Sequence, residues 1–142
     1  MPDTITPYLF YEDAGAAMDW LAKAFGLRET VRMEGEGGRV AHGELELGGQ
    51  TVMLGEPGGD YRNPRRLGGG TAGVHVYVDD VDAHFEQARE AGATILRDPT
   101  DQEYGDRRYD CEDLEGHQWY IATAMSPTAS GEDKAAEHAS AE

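Results

Sequence analysis

Residues 7–26 read PYLFYEDAGAAMDWLAKAFG, an extended apolar segment followed directly by a helical pattern. The apolar residues of the helical part recur at the spacing of a single helix face: Ala17, Trp20, Leu21, Ala24 and Phe25. Gly26 comes next, and glycine commonly follows the last turn of a helix. We therefore predict a strand over residues 5–11 and then an amphipathic helix that ends at Gly26.

The same order of patterns returns in the second half of the chain. A strand pattern covers residues 74–78, and the helix after it buries Val81, Phe85 and Ala88 and ends at Gly92. Each helix is followed by three further strand candidates, at residues 27–33, 39–47 and 50–54 and at residues 94–97, 107–111 and 118–124. The sequence therefore predicts an α+β fold made of two βαβββ modules.

The chain has room for one domain, which we place at residues 1–125. Its two modules cover about residues 5–55 and 73–125, and the connector 56–72 is rich in glycine and proline. The remaining residues, 126–142, are small and polar, and they predict a disordered acidic tail.

Charge and composition exclude several classes of partner. The 142 residues hold 12 Lys and Arg against 28 Asp and Glu, which gives a net charge of −16. A surface this negative repels phosphate, so we expect no nucleic-acid partner and no membrane. The first residues do not resemble a signal peptide, which indicates a cytoplasmic protein. The lone cysteine, Cys111, excludes an intrachain disulfide, and we expect a buried structural thiol there.

Strand alternation predicts a second sheet face that is polar and aromatic, opposite the face that the helices cover. Nine residues fall on it as candidate ligand-binding residues: Tyr8, Phe10, His42, Glu44, Glu46, His75, Tyr77, Gln118 and Tyr120. The four aromatic rings offer stacking surfaces for a flat small molecule, and Glu44 and Glu46 would favour a cationic one. The alternative is that the same residues fill the seam of a dimer.

Three short motifs carry a family resemblance. They are Val-Asp-Asp-Val-Asp at residues 78–82, Tyr-Gly-Asp-Arg at 104–107 and Asp-Leu-Glu-Gly-His-Gln-Trp at 113–119. With residues 7–26, they resemble the glyoxalase/bleomycin-resistance/dioxygenase proteins, the vicinal oxygen chelate superfamily. The resemblance implies an open, barrel-like curved sheet with helices on its outer face, a cleft for a small molecule and a homodimer.

The resemblance also implies where a metal would lie. Metalloenzymes of this superfamily hold a divalent ion with His and Glu on the first and last strand of each module. Carried over, those positions fall on Thr6, Gly73, Tyr120 and the region of Met53, and none of these is a His or Glu. We therefore expect no metal and no cofactor.

Two functions remain open at this point. The preferred hypothesis is a metal-free protein that binds a planar ligand without chemistry, resembling bleomycin-resistance-type proteins and so linked to antibiotic resistance. The alternative is an enzyme, a lyase, isomerase or oxygenase, with His75 and Glu44 or Glu46 as displaced metal ligands. A metal-free enzyme could use His42 or His75 as a base and Tyr77 or Tyr120 as a proton donor.

Four polar residues outside this face receive simpler roles. Asp13 and Asp80 precede the two helices, where a carboxylate accepts hydrogen bonds from free backbone N–H groups. His84 lies on the second helix and His117 follows a turn, and we expect both at the surface.

Overall fold

A computed structural model describes residues 4–125 of the chain. The strands and helices follow the predicted order, with a 3-10 turn added at Glu36–Gly38 and one short helix added in the connector. Their bounds are β1 (Tyr8–Phe10), α1 (Ala14–Phe25), β2 (Arg28–Glu34), β3 (Val40–Leu47), β4 (Gln50–Gly55), α2 (Pro64–Leu67), β5 (Gly73–Tyr77), α3 (Val81–Glu90), β6 (Thr94–Asp101), β7 (Asp106–Glu112) and β8 (Gln118–Ala124). The two predicted βαβββ units are confirmed, and we refer to them as module 1 (β1–β4 with α1) and module 2 (β5–β8 with α3). The predicted tail, 126–142, lies outside the described residues.

Each module contributes one four-stranded mixed sheet. The strand orders are β1-β4-β3-β2 and β5-β8-β7-β6, so the two sheets repeat the same topology. The first strand of each module pairs in parallel with the last, and the other pairs are antiparallel. The sheets are curved and do not close into barrels, which leaves a concave face in each module.

Both long helices begin as predicted. The Asp13 side chain accepts a hydrogen bond from Ala16 N at the start of α1, and Asp80 does the same for Ala83 N at the start of α3. Gly26 follows α1 in the left-handed region, at φ 74°. None of the helices within residues 4–125 is long and apolar enough to cross a membrane.

The core lies between the helices and the outer faces of the sheets. Of the residues predicted for the buried face of α1, four are fully covered, and Ala14 and Met18 join them. Trp20 is only partly buried, and its Nε1 donates to the carbonyl of Ala91, next to α3. The two helices therefore pack against each other along a seam between the modules.

A buried carboxylate in the turn between β7 and β8 joins module 2 to module 1. Asp113 is 1% exposed, and it accepts hydrogen bonds from Tyr11 Oη at 2.6 Å and Trp119 Nε1 at 3.0 Å. It also accepts from the backbone N–H groups of Glu115 and His117. The acidic motif at 113–119 therefore holds a turn and two aromatic side chains in place.

Two histidines expected at the surface make contacts between the two modules instead. His84 is half-buried, with Nδ1 2.6 Å from Tyr109 Oη and Nε2 3.1 Å from the carbonyl of Phe25. His117 Nε2 lies 2.6 Å from the carbonyl of Phe10. The expectation was wrong because their partners lie far away in sequence, where no local pattern reveals them.

Candidate functional site

We call the concave face of each sheet, opposite its helix, the inner face. The inner face of module 1 carries five of the nine predicted site residues. Tyr8 and Phe10 lie on β1, and His42, Glu44 and Glu46 lie on β3. The register aligns Tyr8 with Met53 of β4, and Met53 in turn with Glu44. Tyr8 is 44% exposed and Phe10 is 48% exposed, so neither ring packs into the core.

Three of these side chains form a continuous hydrogen-bonded chain. Tyr8 Oη lies 2.9 Å from His42 Nδ1, and His42 Nε2 lies 2.8 Å from Glu44 Oε2. The Tyr8 and His42 rings are inclined at 37°, with their centroids 5.6 Å apart. Glu46 is not part of the chain, because it pairs with Arg28 of β2.

The inner face of module 2 carries the other four predicted residues. His75 on β5 is aligned with Tyr120 on β8, and the His75 and Tyr77 rings are 4.8 Å apart. Tyr120 Oη donates to Gln118 Oε1 at 2.7 Å, and Tyr77 Oη donates to Asp106 Oδ2 at 2.7 Å. Partial burial raises the pKa of Tyr77, which favours the protonated phenol.

Sequence analysis did not select Arg108 and Asp110, the two charged residues of β7 that lie next to Tyr120 on the same face. The guanidinium of Arg108 lies over the Tyr120 ring, 4.5 Å from its centroid, and its Nε donates to Asp110 Oδ1 at 2.7 Å. Asp110 is aligned with Tyr120 across the β7–β8 pair. The alternation of β7 could have found both, because Arg108 and Asp110 are two residues apart and so share a face.

Two grooves bring parts of the predicted set together. One of about 390 Å³ includes Tyr8, Phe10 and Gln118 among its walls, together with Tyr61, Gly73 and His117. The other, of about 520 Å³, includes His75 and Tyr77, together with Thr51 and Leu47. Four of the nine predicted residues line neither of these two grooves: His42, Glu44, Glu46 and Tyr120.

Tyr61, from the connector, is a wall residue that sequence analysis did not select. Its hydroxyl donates to the carbonyl of Phe10 at 2.7 Å, and the two rings meet edge to face at 6.0 Å. Burial, with Glu115 and Glu12 nearby, raises its pKa to about 12. The phenol therefore stays protonated and holds the connector against β1.

The metal positions implied by the superfamily do not fit a divalent ion here. Thr6, Met53, Gly73 and Tyr120 offer a hydroxyl, a thioether, no side chain and a phenol, whereas such ions take imidazole and carboxylate ligands. Within residues 4–125, no three His, Cys, Asp or Glu side chains lie together in a metal-binding group. His75 and Glu44, the displaced ligands considered above, belong to different sheets.

Cys111 is buried, as expected for a structural thiol. Burial, with Asp113 and Asp110 nearby, raises the pKa of its thiol to about 12. A thiol that stays protonated is a poor nucleophile.

Comparison with known proteins identifies one superfamily. The family described as Glyoxalase/Bleomycin resistance protein/Dioxygenase superfamily matches residues 3–121. The uncharacterized protein Rv0887c of Mycobacterium tuberculosis is 36% identical over 137 residues, covering 93% of this chain and 81% of that protein.

Solved structures share the fold. TioX from Micromonospora sp. ML1 is 34% identical, with a TM-score of 0.68 over 86% of this chain and 98% of that one. A member of the same superfamily from Sphaerobacter thermophilus has a TM-score of 0.68 at 20% identity, over 87% of this chain and 98% of that one. The second likeness concerns the fold alone.

Proposed function

The chain belongs to the glyoxalase/bleomycin resistance/dioxygenase superfamily, and we propose that it binds a planar aromatic small molecule without a metal ion. The ligand lies against β1 of module 1, in the groove that Tyr8, Phe10 and Tyr61 border together with Gly73 and Gln118 of module 2. The observation that carries the proposal is that the rings of Tyr8 and Phe10 are about half exposed along this groove. Sequestration of such a molecule in the cytoplasm, as in antibiotic resistance, is the biological role we propose.

The aromatic rings of the groove suit a flat ligand. The Tyr8 and Phe10 centroids are 5.6 Å apart at 58°, and Tyr61 meets Phe10 edge to face. Neighbouring rings at such angles leave faces and edges on which another ring can pack, a contact worth about 0.5–1.5 kcal/mol beyond area burial. A concave, partly aromatic groove with few polar groups is typical of small-molecule sites.

The preference for a cation rests on the overall charge. Glu46 already pairs with Arg28 and Glu44 with His42, so each carboxylate has a partner. The net charge of −16 still attracts cations to the whole surface. We therefore propose that a planar ring is the main requirement and that positive charge adds affinity that salt weakens.

A homodimer is part of this proposal. Apolar side chains remain exposed on the open faces of both sheets, with Met33 54% and Tyr77 50% exposed. A second copy that covered these faces would remove them from water and deepen the grooves. Size-exclusion chromatography with light scattering should give twice the mass of 15.5 kDa, and a monomeric mass at micromolar concentration would contradict the dimer.

Equilibrium dialysis tests ligand binding directly. The probes are metal-free bleomycin, ethidium as a planar cation, 4-nitroanisole as a neutral planar molecule, and choline as a cation without a ring. We expect the planar probes to be retained in preference to choline. Tyr8→Ala and Phe10→Ala should each weaken retention about tenfold, since a lost ring contact costs about 1.4 kcal/mol.

Leu96→Ala is the matched control, because Leu96 is also about half exposed but lies on β6 of module 2. It should leave retention unchanged. Failure to retain any planar probe, or equal losses in all three variants, would contradict the proposed site.

A further inference from the structure

The donor and the acceptor of each hydrogen bond in the series Tyr8–His42–Glu44 can be assigned. A carboxylate accepts hydrogen bonds, so in the neutral imidazole Nε2 carries the proton that is donated to Glu44. Nδ1 is then the acceptor, and the Tyr8 hydroxyl donates to it at 2.9 Å. Glu44 therefore fixes the tautomer in which His42 can take a proton from Tyr8, as a buried acid does for the histidine of a catalytic triad.

From this arrangement we propose that Tyr8, His42 and Glu44 form a proton-accepting subsite for a planar ligand with an acidic hydroxyl, a phenol or an enol. The ligand hydroxyl meets Tyr8 Oη and loses its proton, and the positive charge gained at His42 compensates the oxyanion, so a positive group elsewhere on the ligand can still add the affinity proposed above. This inference rests on the proposed planar-ligand groove and names the chemical class that the groove selects. Tyr8 takes part in both, because its ring lines the groove and its hydroxyl begins the chain.

The proton transfer balances without a further reactant. The ligand O–H bond breaks and its proton passes to Tyr8 Oη, while the Tyr8 proton passes to His42 Nδ1. His42 becomes an imidazolium whose Nε2–H remains hydrogen-bonded to the Glu44 carboxylate. The net charge of the site is unchanged, since the ligand gains one negative charge and His42 gains one positive charge. A charged pair with a shared hydrogen bond is stronger than the neutral one.

The backbone beneath Tyr8 allows this contact. A Cβ added at Gly55 would lie 2.9 Å from Tyr8 Oη and 2.8 Å from the carbonyl oxygen of Ala41. The missing side chain therefore leaves the space through which the hydroxyl reaches His42. On β2 the residue aligned with His42 is Met33, so that neighbour adds no charge. Tyr8 and Glu44 are the titratable groups hydrogen-bonded to His42.

The test uses 4-nitrophenol, whose absorption distinguishes phenol from phenolate, and 4-nitroanisole, its methyl ether without an acidic proton. Bound to the wild-type protein, 4-nitrophenol should show the phenolate spectrum at a pH where the free probe is mainly neutral. We expect its pKa on the protein to fall by about one unit, a tenfold shift of the equilibrium. Tyr8→Phe and Glu44→Gln should remove this shift and keep 4-nitroanisole bound.

Glu46→Gln is the matched control, because it removes a carboxylate from the same strand that binds Arg28 instead of His42. It should retain the shift. Nitrogen-15 NMR supplies a readout without ligand: His42 should be the tautomer protonated at Nε2, and this preference should weaken in Glu44→Gln.

The outcomes separate the two proposals. If 4-nitroanisole binds and bound 4-nitrophenol stays neutral, the proton-accepting subsite is wrong and the planar groove stands. A shift that persists in Tyr8→Phe and Glu44→Gln also contradicts the subsite. If neither probe binds, the groove itself is wrong, and the subsite fails with it.

Discussion

The two modules share one strand order but hold different chemistry on their inner faces. Module 1 presents a hydrogen-bonded chain from a phenol to an imidazole and a carboxylate. At the corresponding place, module 2 has Tyr120 covered on one face by the guanidinium of Arg108, which Asp110 binds. The rings of Tyr8 and Phe10 are exposed along the groove that borders β1, whereas in module 2 a cation packs on Tyr120 and the exposed Tyr77 donates its hydroxyl proton to Asp106. This difference is the reason that we place the proposed ligand against β1.

The turn that precedes the last strand also differs between the two modules. In module 1, β3 and β4 are joined by Gly48 and Gly49, both at positive φ, where glycine is favoured. In module 2, the turn at 113–116 carries the buried Asp113 and the nearly buried Glu115. Glu115 accepts hydrogen bonds from the backbone N–H groups of Glu12 and Asp13, just before α1. Module 2 thus holds module 1 in place.

The largest effect should come from removing the buried carboxylate of Asp113, which anchors module 2 to module 1. Asp113→Ala leaves Tyr11 Oη, Trp119 Nε1 and two backbone N–H groups without their acceptor. A buried donor without a partner costs about 1–3 kcal/mol, so the free energy of unfolding should fall by more than about 3 kcal/mol. Urea unfolding followed by circular dichroism measures it. Asp98→Asn, at an exposed acid, is the control, and an equally small change in both would refute the anchor.

The next largest effect should come from adding a methyl group at the glycines that lie next to Tyr8 and Tyr120. Gly55→Ala brings a methyl group against a backbone carbonyl, which cannot move aside, and should cost about 1–3 kcal/mol. The nearest atoms to a methyl group at Gly73 belong to the Tyr120 side chain, which can shift at the cost of its contacts with Arg108 and Gln118, so Gly73→Ala should cost less. Thermal unfolding of the two variants side by side decides the order, and a larger loss for Gly73→Ala would contradict it.

The seam between the modules should be sensitive to acid through His84. Burial lowers the pKa of its imidazole below the ordinary 6.5, although its contact with the carbonyl of Phe25 partly offsets the effect. As the pH falls below 6.5, His84 becomes protonated in the unfolded chain but stays neutral in the folded one. The free energy of unfolding therefore falls, and it levels off below the folded pKa.

Urea midpoints at pH 7.5 and 5.5 measure this loss. His84→Gln should lose less stability between the two pH values than the wild type does. Carboxylates such as Glu12, whose pKa is lowered by its hydrogen bond from Asn63, act at more acidic pH and do not interfere. Equal losses in the two proteins would show that His84 is not the source.

The smallest effect concerns the ion pair between Glu46 and Arg28. The Arg28 side chain is largely exposed, and exposed pairs contribute about 0–1 kcal/mol. Glu46→Gln should therefore change the unfolding midpoint little, both in low salt and in 0.5 M salt. A loss comparable to that of Gly55→Ala would mean that this pair is part of the framework of module 1.

Much of the framework could be predicted from the sequence because it follows from local patterns. The helix spacing of residues 17–25 and the glycine at 26 gave α1, and alternation placed His42 and Glu44 on one face. Helix α2 was missed although its signals are local: Asn63 accepts from Arg66 N, Pro64 is the first helical residue, and Gly68 follows in the left-handed region.

The site itself depends on contacts that no local pattern contains. Tyr8 meets His42 only because β4 lies between β1 and β3 in the sheet and Gly55 leaves room for the hydroxyl. Sequence analysis considered His42 or His75 as the base and Tyr77 or Tyr120 as the proton donor of a metal-free enzyme, and it did not select Tyr8, whose hydroxyl contacts His42. Sequence separation of 34 residues hides such a pair until the strand order is known.

The most direct test of the binding face is a titration of the nitrogen-15-labelled protein with 4-nitroanisole, followed by two-dimensional NMR. The neutral probe avoids general attraction to the negative surface. We predict that amide shifts cluster at Tyr8, Phe10, Tyr61 and Gly73, around the groove that borders β1. Shifts confined to β6 and β7 of module 2, or no shifts at all, would contradict the account.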